Sequence, residues 1–136
     1  MRLIPYLNFD GTCEEAFKFY EKVFDGQLEV LMTHENSPMK DQVPPEWGPR
    51  IMHAFLTIGD AQLMGSDAPP GQFTKAQGTF VSVNLEDVAR GERIFQQLSS
   101  GGTTIMPFEK TFWAERFGMA IDRFGTPWMV NAGQMT

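Results

Sequence analysis

Few side chains in this chain can do chemistry, and their types narrow what that chemistry would be. The histidines are His34 and His53, and the one cysteine is Cys13. His53 sits in the run RIMHAFLTI, where it alternates with Ile51 and Phe55 on one face of a predicted strand. There an imidazole can serve as a general base or as a hydrogen-bond donor in a pocket, because it changes charge near neutrality. A histidine that is simply satisfied on a sheet leaves the same signature, and one titratable group does not choose between the two. His34 falls at a strand end beside a loop, where solvation is expected. Even as neighbours on adjacent antiparallel strands, the two histidines would need a third ligand, such as Glu115 or Asp122, to hold a metal. Cys13 opens a predicted helix, whose dipole favours the thiolate. Glu14 and Glu15 oppose that effect, so an inert thiol is expected. Arg116 presents a fork that fits a carboxylate, or it pairs at the surface with Glu115. Phe112 and Trp113 lie between predicted strands, where they close over a cavity or bury at a subunit contact.

The rest of the composition excludes several function classes. The 136 residues suit one domain, or two half-size units. A chain of this size needs neither disulfide nor structural metal to fold, and a single cysteine fits a reducing, cytoplasmic setting. Eleven basic and 17 acidic residues give a net charge of −6, with the basic ones scattered. That pattern argues against nucleic-acid binding, which needs clustered Lys and Arg. The N-terminus is too short and interrupted for a signal peptide, and no run approaches the ~20 apolar residues of a membrane span. The start NFDGTCEE has one glycine and no lysine, so it is not a phosphate loop. Nine Met, twelve Phe and three Trp remain conspicuous. Such soft, large side chains fill cores or line adaptable apolar pockets.

The elements that must position these groups follow a repeating order. Residues 2–9 read as a short strand with Pro5 at an edge or bulge. Thr12 with Glu15 forms a capping box for a helix carrying Ala16, Phe19, Tyr20, Val23 and Phe24, which Gly26 ends as a C′ glycine. Strands are predicted at 27–34, 50–58 and 61–65, with a long loop holding Pro38, Pro44, Pro45 and Pro49, and a hairpin signal at Gly59-Asp60. A turn-rich stretch, 66–78, leads to a second set: a strand at 79–85, then a helix capped by Asp87 and carrying Val88, Ile94, Phe95 and Leu98. Strands at 103–106, 117–122 and 128–131 complete the chain. At an offset of 75, Thr12 meets Asp87, Tyr20 meets Phe95 and Gly26 meets Gly101. Further on the offset is 66, pairing Arg50 with Arg116, Gly59 with Gly125 and Leu63 with Met129. The expected fold is α+β, a single domain of two tandem βαβββ modules at about 1–67 and 77–133, joined by a linker at 68–76. Each module forms a curved sheet with its helix on one face, leaving a concave surface between the sheets. The competing arrangement, a ferredoxin-like βαββαβ dimer, lacks the third strand after each helix.

The phrases EEAFKFYEKVFDG, IMHAFLTIGDAQLMGSD and FWAERFGMAIDRFGTPWMVN resemble the PhnB-like branch of the vicinal oxygen chelate superfamily. That superfamily includes glyoxalase I, bleomycin-resistance proteins and extradiol dioxygenases, and the branch has carried the label 3-demethylubiquinone-9 3-methyltransferase-like. The last phrase is the most specific, with Phe112-Trp113, the turn from Asp122 to Gly125 and Trp128. The resemblance implies a divalent metal held from the first and last strand of each module. Carried over, those positions fall near Pro5, near Thr79, at Leu63 (or Met64 if the register slips by one) and at Met129. These residues lack the roughly three lone-pair donors that a catalytic metal needs, so no metal and no cofactor are expected. A methyltransferase has no support either, because no glycine-rich loop opens a larger doubly wound sheet.

The functional expectation is a small apolar or aromatic molecule bound between the sheets and lined by Leu7, His53, Phe55, Leu63, Thr79, Trp113 and Met129. Whether it reacts there is open, and His53 is the candidate catalytic group. Sequestration of the kind bleomycin-resistance proteins perform needs no metal. The alternative is a metal-dependent lyase, isomerase or dioxygenase with a displaced site around His53. A non-catalytic partner module is a third reading. The resemblance also implies a homodimer, while charge and hydropathy leave no nucleic acid and no membrane as expected partners.

Overall fold

The computed structural model describes residues 1–135. It divides into two compact units, Met1–Thr74 and Lys75–Thr136, with the division falling inside the turn-rich stretch. Each unit is α+β with the order βαβββ.

In the first unit, β1 (Tyr6–Phe9) leads to α1 (Cys13–Phe24), followed by β2 (Gln27–Thr33), β3 (Ile51–Ile58) and β4 (Ala61–Asp67). The sheet order is β1-β4-β3-β2, with β1 parallel to β4 and the other pairs antiparallel. Helix α1 buries Cys13, Ala16, Phe17, Tyr20, Val23 and Phe24, a stripe at helical spacing. Phe17, not Phe19, is the aromatic that fills the centre. It meets Phe9 and Tyr20 edge-on, at ring distances of 6.1 and 5.7 Å. Gly65 admits it, because a Cβ there would come within 2.6 Å of the Phe17 ring. The long proline-rich loop holds two short 3-10 turns, Lys40–Gln42 and Pro45–Trp47.

Both ends of α1 depart from the sequence expectation. The Thr12 side chain caps nothing. The buried carboxylate of Asp67, at the end of β4, takes that role: its Oδ1 accepts from the Gly11 and Cys13 amides at 2.8 and 3.0 Å, and its Oδ2 from Ile51 at 2.9 Å. At the other end the left-handed residue is Asp25, at φ 52°. Gly26 is required instead by close approach, since a Cβ would lie 2.6 Å from the Thr57 carbonyl oxygen.

The second unit repeats the plan with β5 (Val81–Leu85), α2 (Val88–Ser99), β6 (Thr103–Glu109), β7 (Ala114–Ile121) and β8 (Pro127–Met135). Its order, β5-β8-β7-β6, again pairs the first and last strands in parallel. Here the expected cap holds: Asp87 Oδ1 accepts from the Arg90 amide at 3.1 Å. Helix α2 buries Gly91, Ile94, Phe95 and Leu98, and Phe95 seats on Gly118 as Phe17 does on Gly65.

The registers correct the expected repeat. Tyr6 lies beside Met64, and Ser82 beside Met129, both pairs on the face away from the unit's helix. Tyr6 therefore corresponds to Ser82, and Met64 to Met129. The offset is 76 in the first strand and 65 in the last, where the sequence had suggested 75 and 66. A shift of one residue exchanges the two faces of a strand.

Candidate functional site

In a β-strand alternate residues share a face, so one anchor on each sheet assigns all of its strands. In the first unit Gly65 abuts Phe17, and Leu7 and Ala54 stand opposite Gly65. Leu7, Leu63, Gly65 and Asp67 consequently face α1. Leu7 is half-buried and Leu63 is 4% exposed, so neither belongs to the helix-free face where a ligand-lining role had been expected. That face instead carries Tyr6 and Asn8 from β1, Gln62, Met64 and Ser66 from β4, and His53, Phe55 and Thr57 from β3.

His53 and Phe55 are thus brought together on one face, with three neighbours outside the expected lining. Phe55 lies directly across from Met64. His53 lies across from Met32 of β2, and its ring stacks on Tyr6, with centroids 6.2 Å apart and planes 22° apart. A signal for this assignment was present in AQLMGSD. A glycine in a strand marks close approach of another element, so the residues two positions either side of Gly65 belong to the helix side.

In the second unit Gly118 abuts Phe95 and pairs with Val130, which places Met129 on the helix-free face opposite Met119 and beside Ser82. Trp113 is half-buried in the connection between β6 and β7. Its ring meets Phe117 edge-on at 5.3 Å and Phe112 at 4.8 Å. Phe112 itself is 90% exposed. Thr79 is exposed and lies ahead of β5, off the strand.

Of the groups offered as metal ligands, Asp122 is engaged within the chain. Asp122 Oδ1 accepts from the amides of Phe124 and Thr126 at 2.9 and 3.0 Å, the expected Asx-type turn, and Oδ2 accepts from Trp128 Nε1 at 2.8 Å. Asp67 spends both oxygens on backbone amides. The histidines are not cross-strand partners: the His34 amide bonds the Arg50 carbonyl, its ring lies edge-on to Trp47 at 5.9 Å, and its Nδ1 is buried without a hydrogen bond. Among the described residues no group of three or more His, Cys, Asp or Glu side chains is placed to hold a metal ion. On the strands where the resemblance looks for ligands, the paired helix-free positions hold Tyr6 and Met64 in one unit and Ser82 and Met129 in the other, and Asn8, Gln62 and Ser66 are hydrogen-bonded within the chain. This donor set does not fit a divalent catalytic metal, which takes imidazole, carboxylate or thiolate ligands. Arg116 donates to the Glu115 carbonyl at 2.8 Å.

Cys13 is fully buried, and burial pushes its thiol well above the usual range, with the charges of Asp67 and Glu14 adding to the effect. In the unfolded chain the thiol ionises near 9.0. Above that pH the unfolded state releases a proton that the folded state keeps, so stability falls as pH rises. Relative to Cys13→Ala, the native protein should lose about 1.4 kcal/mol per pH unit above pH ~9. Urea unfolding from pH 8 to 10.5 checks this; parallel curves for the two proteins would refute it.

Residues 1–131 match the family model described as 3-demethylubiquinone-9 3-methyltransferase. The chain belongs to this family. Protein YjdN of Escherichia coli is 32% identical, over 96% of this chain and 95% of that protein. Protein PA1353 of Pseudomonas aeruginosa is similar in structure, with 41% identity, 98% of both chains covered and a TM-score of 0.91. A PhnB protein from Bacillus cereus, described as a putative 3-demethylubiquinone-9 3-methyltransferase, superposes at a TM-score of 0.81 with 23% identity, over 97% of this chain and 99% of that one. With the fosfomycin resistance protein FosX of Mesorhizobium loti the likeness, at 13% identity and a TM-score of 0.60, is one of fold. The fold is thus shared with a PhnB protein and with a fosfomycin resistance protein. Among the described residues each sheet has a single parallel pair. No helix among the described residues is long and apolar enough to cross a membrane.

Proposed function

We propose that this protein binds a small, largely apolar or aromatic molecule on the helix-free faces of its sheets, and does so without the superfamily's metal. The observation that carries the reading is the equivalence of Met64 and Met129. Each lies beside the first strand of its unit, on the helix-free face, where the superfamily pattern would supply a metal-binding side chain. A thioether is a weak ligand for hard divalent ions and a good apolar contact. Around the two methionines stand Tyr6 and Phe55 in one unit and Met119 in the other, with His53 as a polar group among apolar ones. Such a surface favours sequestration, and a bound molecule that reacts would meet His53 as the acid or base.

Protein purified without chelators should carry far less than one equivalent of Zn, Mn, Fe or Ni. It should bind the neutral fluorophore N-phenyl-1-naphthylamine saturably, with or without EDTA. Met64→Gln should weaken that binding about fivefold, the equivalent of roughly 1 kcal/mol of lost apolar contact. One equivalent of metal that disappears in His53→Ala would overturn the reading and restore a metal-dependent enzyme. So would affinity unchanged in both Met64→Gln and Met129→Gln.

A further inference from the structure

The helix-free face of the first unit holds several polar groups, and most already have partners within the chain. Asn8 accepts from Ser66 at 3.4 Å at one end of the face. Gln62 accepts from Arg2 at 3.1 Å, and Glu29 from the Thr57 hydroxyl at 3.0 Å. His53 differs. No described residue hydrogen-bonds its imidazole, yet its nitrogens are not sealed from solvent as His34 Nδ1 is. What it has is a stacked ring, Tyr6, itself half exposed at 50%.

A stack of this kind restricts what the imidazole can do. Tyr6 lies near-parallel beside the imidazole and limits rotation about the last torsion, which is broad for histidine when nothing packs against it. The ring edge, with its two nitrogens, is then presented in a fixed direction beside Met32, Phe55 and Met64. Apolar walls with one oriented polar group are the usual composition of a site that selects a ligand by both shape and a single hydrogen bond.

We propose that Tyr6 and His53 act as one recognition unit, selecting a planar aromatic ligand that carries an oxygen substituent able to hydrogen-bond the imidazole edge. This rests on the small-molecule reading above and adds to it the chemical class of the ligand. Tyr6 is a positioning residue: it acts on the ligand's polar group through His53. An apolar ligand without the oxygen satisfies the walls and leaves the imidazole edge unpaired on closing, which is the source of discrimination.

The test uses the full chain and three probes of similar shape: naphthalene, 2-naphthol and 2-naphthoate. At least one oxygenated probe should bind the native protein about 10-fold more tightly than naphthalene, the upper end of what one hydrogen bond contributes. Which one gains tells a hydroxyl from a carboxylate as the preferred group. His53→Leu should reduce the preference below about twofold while naphthalene still binds, Tyr6→Phe should keep it, and Tyr6→Leu should lose most of it. In protein labelled with 15N-histidine, Tyr6→Leu should also shift the His53 ring signals, and Tyr6→Phe should leave them in place. A preference that survives His53→Leu, or a Tyr6→Leu protein with native preference and native ring signals, overturns the inference. Equal binding of all three probes to the native protein overturns it alone and leaves apolar binding standing. Binding of none overturns both.

Discussion

Replacing Asp67 by alanine should cost about 4 kcal/mol of folding stability, out of the roughly 5–15 kcal/mol a domain possesses. The carboxylate is 6% exposed and accepts three backbone amides, from Gly11, Cys13 and Ile51. Alanine removes both acceptor oxygens and all three bonds at once, and each buried donor left unpaired costs ~1–3 kcal/mol, less than additively when they share one site. Arg50 cannot take over, because a guanidinium has donors only, and its own serve the Ala68 carbonyl at 2.8 Å and Asp10 at 3.1 Å. Asp67→Asn should cost about half as much: its carbonyl oxygen can still serve Gly11 and Cys13, but its amide group then faces the Ile51 N–H. Urea titration followed by circular dichroism reads both. A loss under ~1 kcal/mol in Asp67→Ala would mean that water replaces the carboxylate, and the account of the α1 terminus would fail.

The second large effect is expected at Asp122. Its side chain, 3% exposed, gathers the amides of Phe124 and Thr126 and the indole N–H of Trp128. Asp122→Ala should lose about 3 kcal/mol, because two buried donors, the Thr126 amide and the Trp128 indole, and the part-buried Phe124 amide lose their acceptor together. Trp128, at 1% exposure, supplies the diagnostic signal, since losing its buried acceptor should shift its fluorescence before global unfolding. Trp128→Phe should be milder in hydrogen bonding, since Oδ1 keeps both amides, though it adds the loss of packing at a fully buried position. An Asp122→Ala protein as stable as the native one would show that the turn is held by its backbone bonds alone, Asp122 N–H to the Thr126 carbonyl and Gly125 N–H to that of Asp122.

Much of this architecture was legible in the residues. Helical spacing located α1 and α2, turn chemistry located the Asp122 hairpin, and the repeat of strand, helix and three strands emerged from the paired caps and glycines. What escaped was parity. Leu63 and Met64 are both apolar, as are Leu7 and most of Tyr6, so alternation does not say which of each pair faces the helix. An offset wrong by one residue then moved two expected lining residues into the core and hid Tyr6 and Met64. Phe17 was missed for a related reason: Phe19 and Phe17 both fit an apolar stripe until Gly65 shows which ring has room. The long-range acceptor at Asp67 left no local trace at all, because the amides it binds are 54 to 56 residues away or, for Ile51, 16.

That last separation has a consequence for how the chain is made. The helix α1 gains its N-terminal acceptor, and β1 its ladder partner, only when residue 67 has left the ribosome, so a nascent chain of fifty residues holds an unfinished helix end. The second unit has no such wait at its helix. Asp87 caps α2 from three residues away, and Asp122 closes its hairpin across two to six. Short loops close quickly and long ones slowly. The two halves of a duplicated plan therefore mature by different clocks, with the first unit dependent on its own last strand before its first helix is complete.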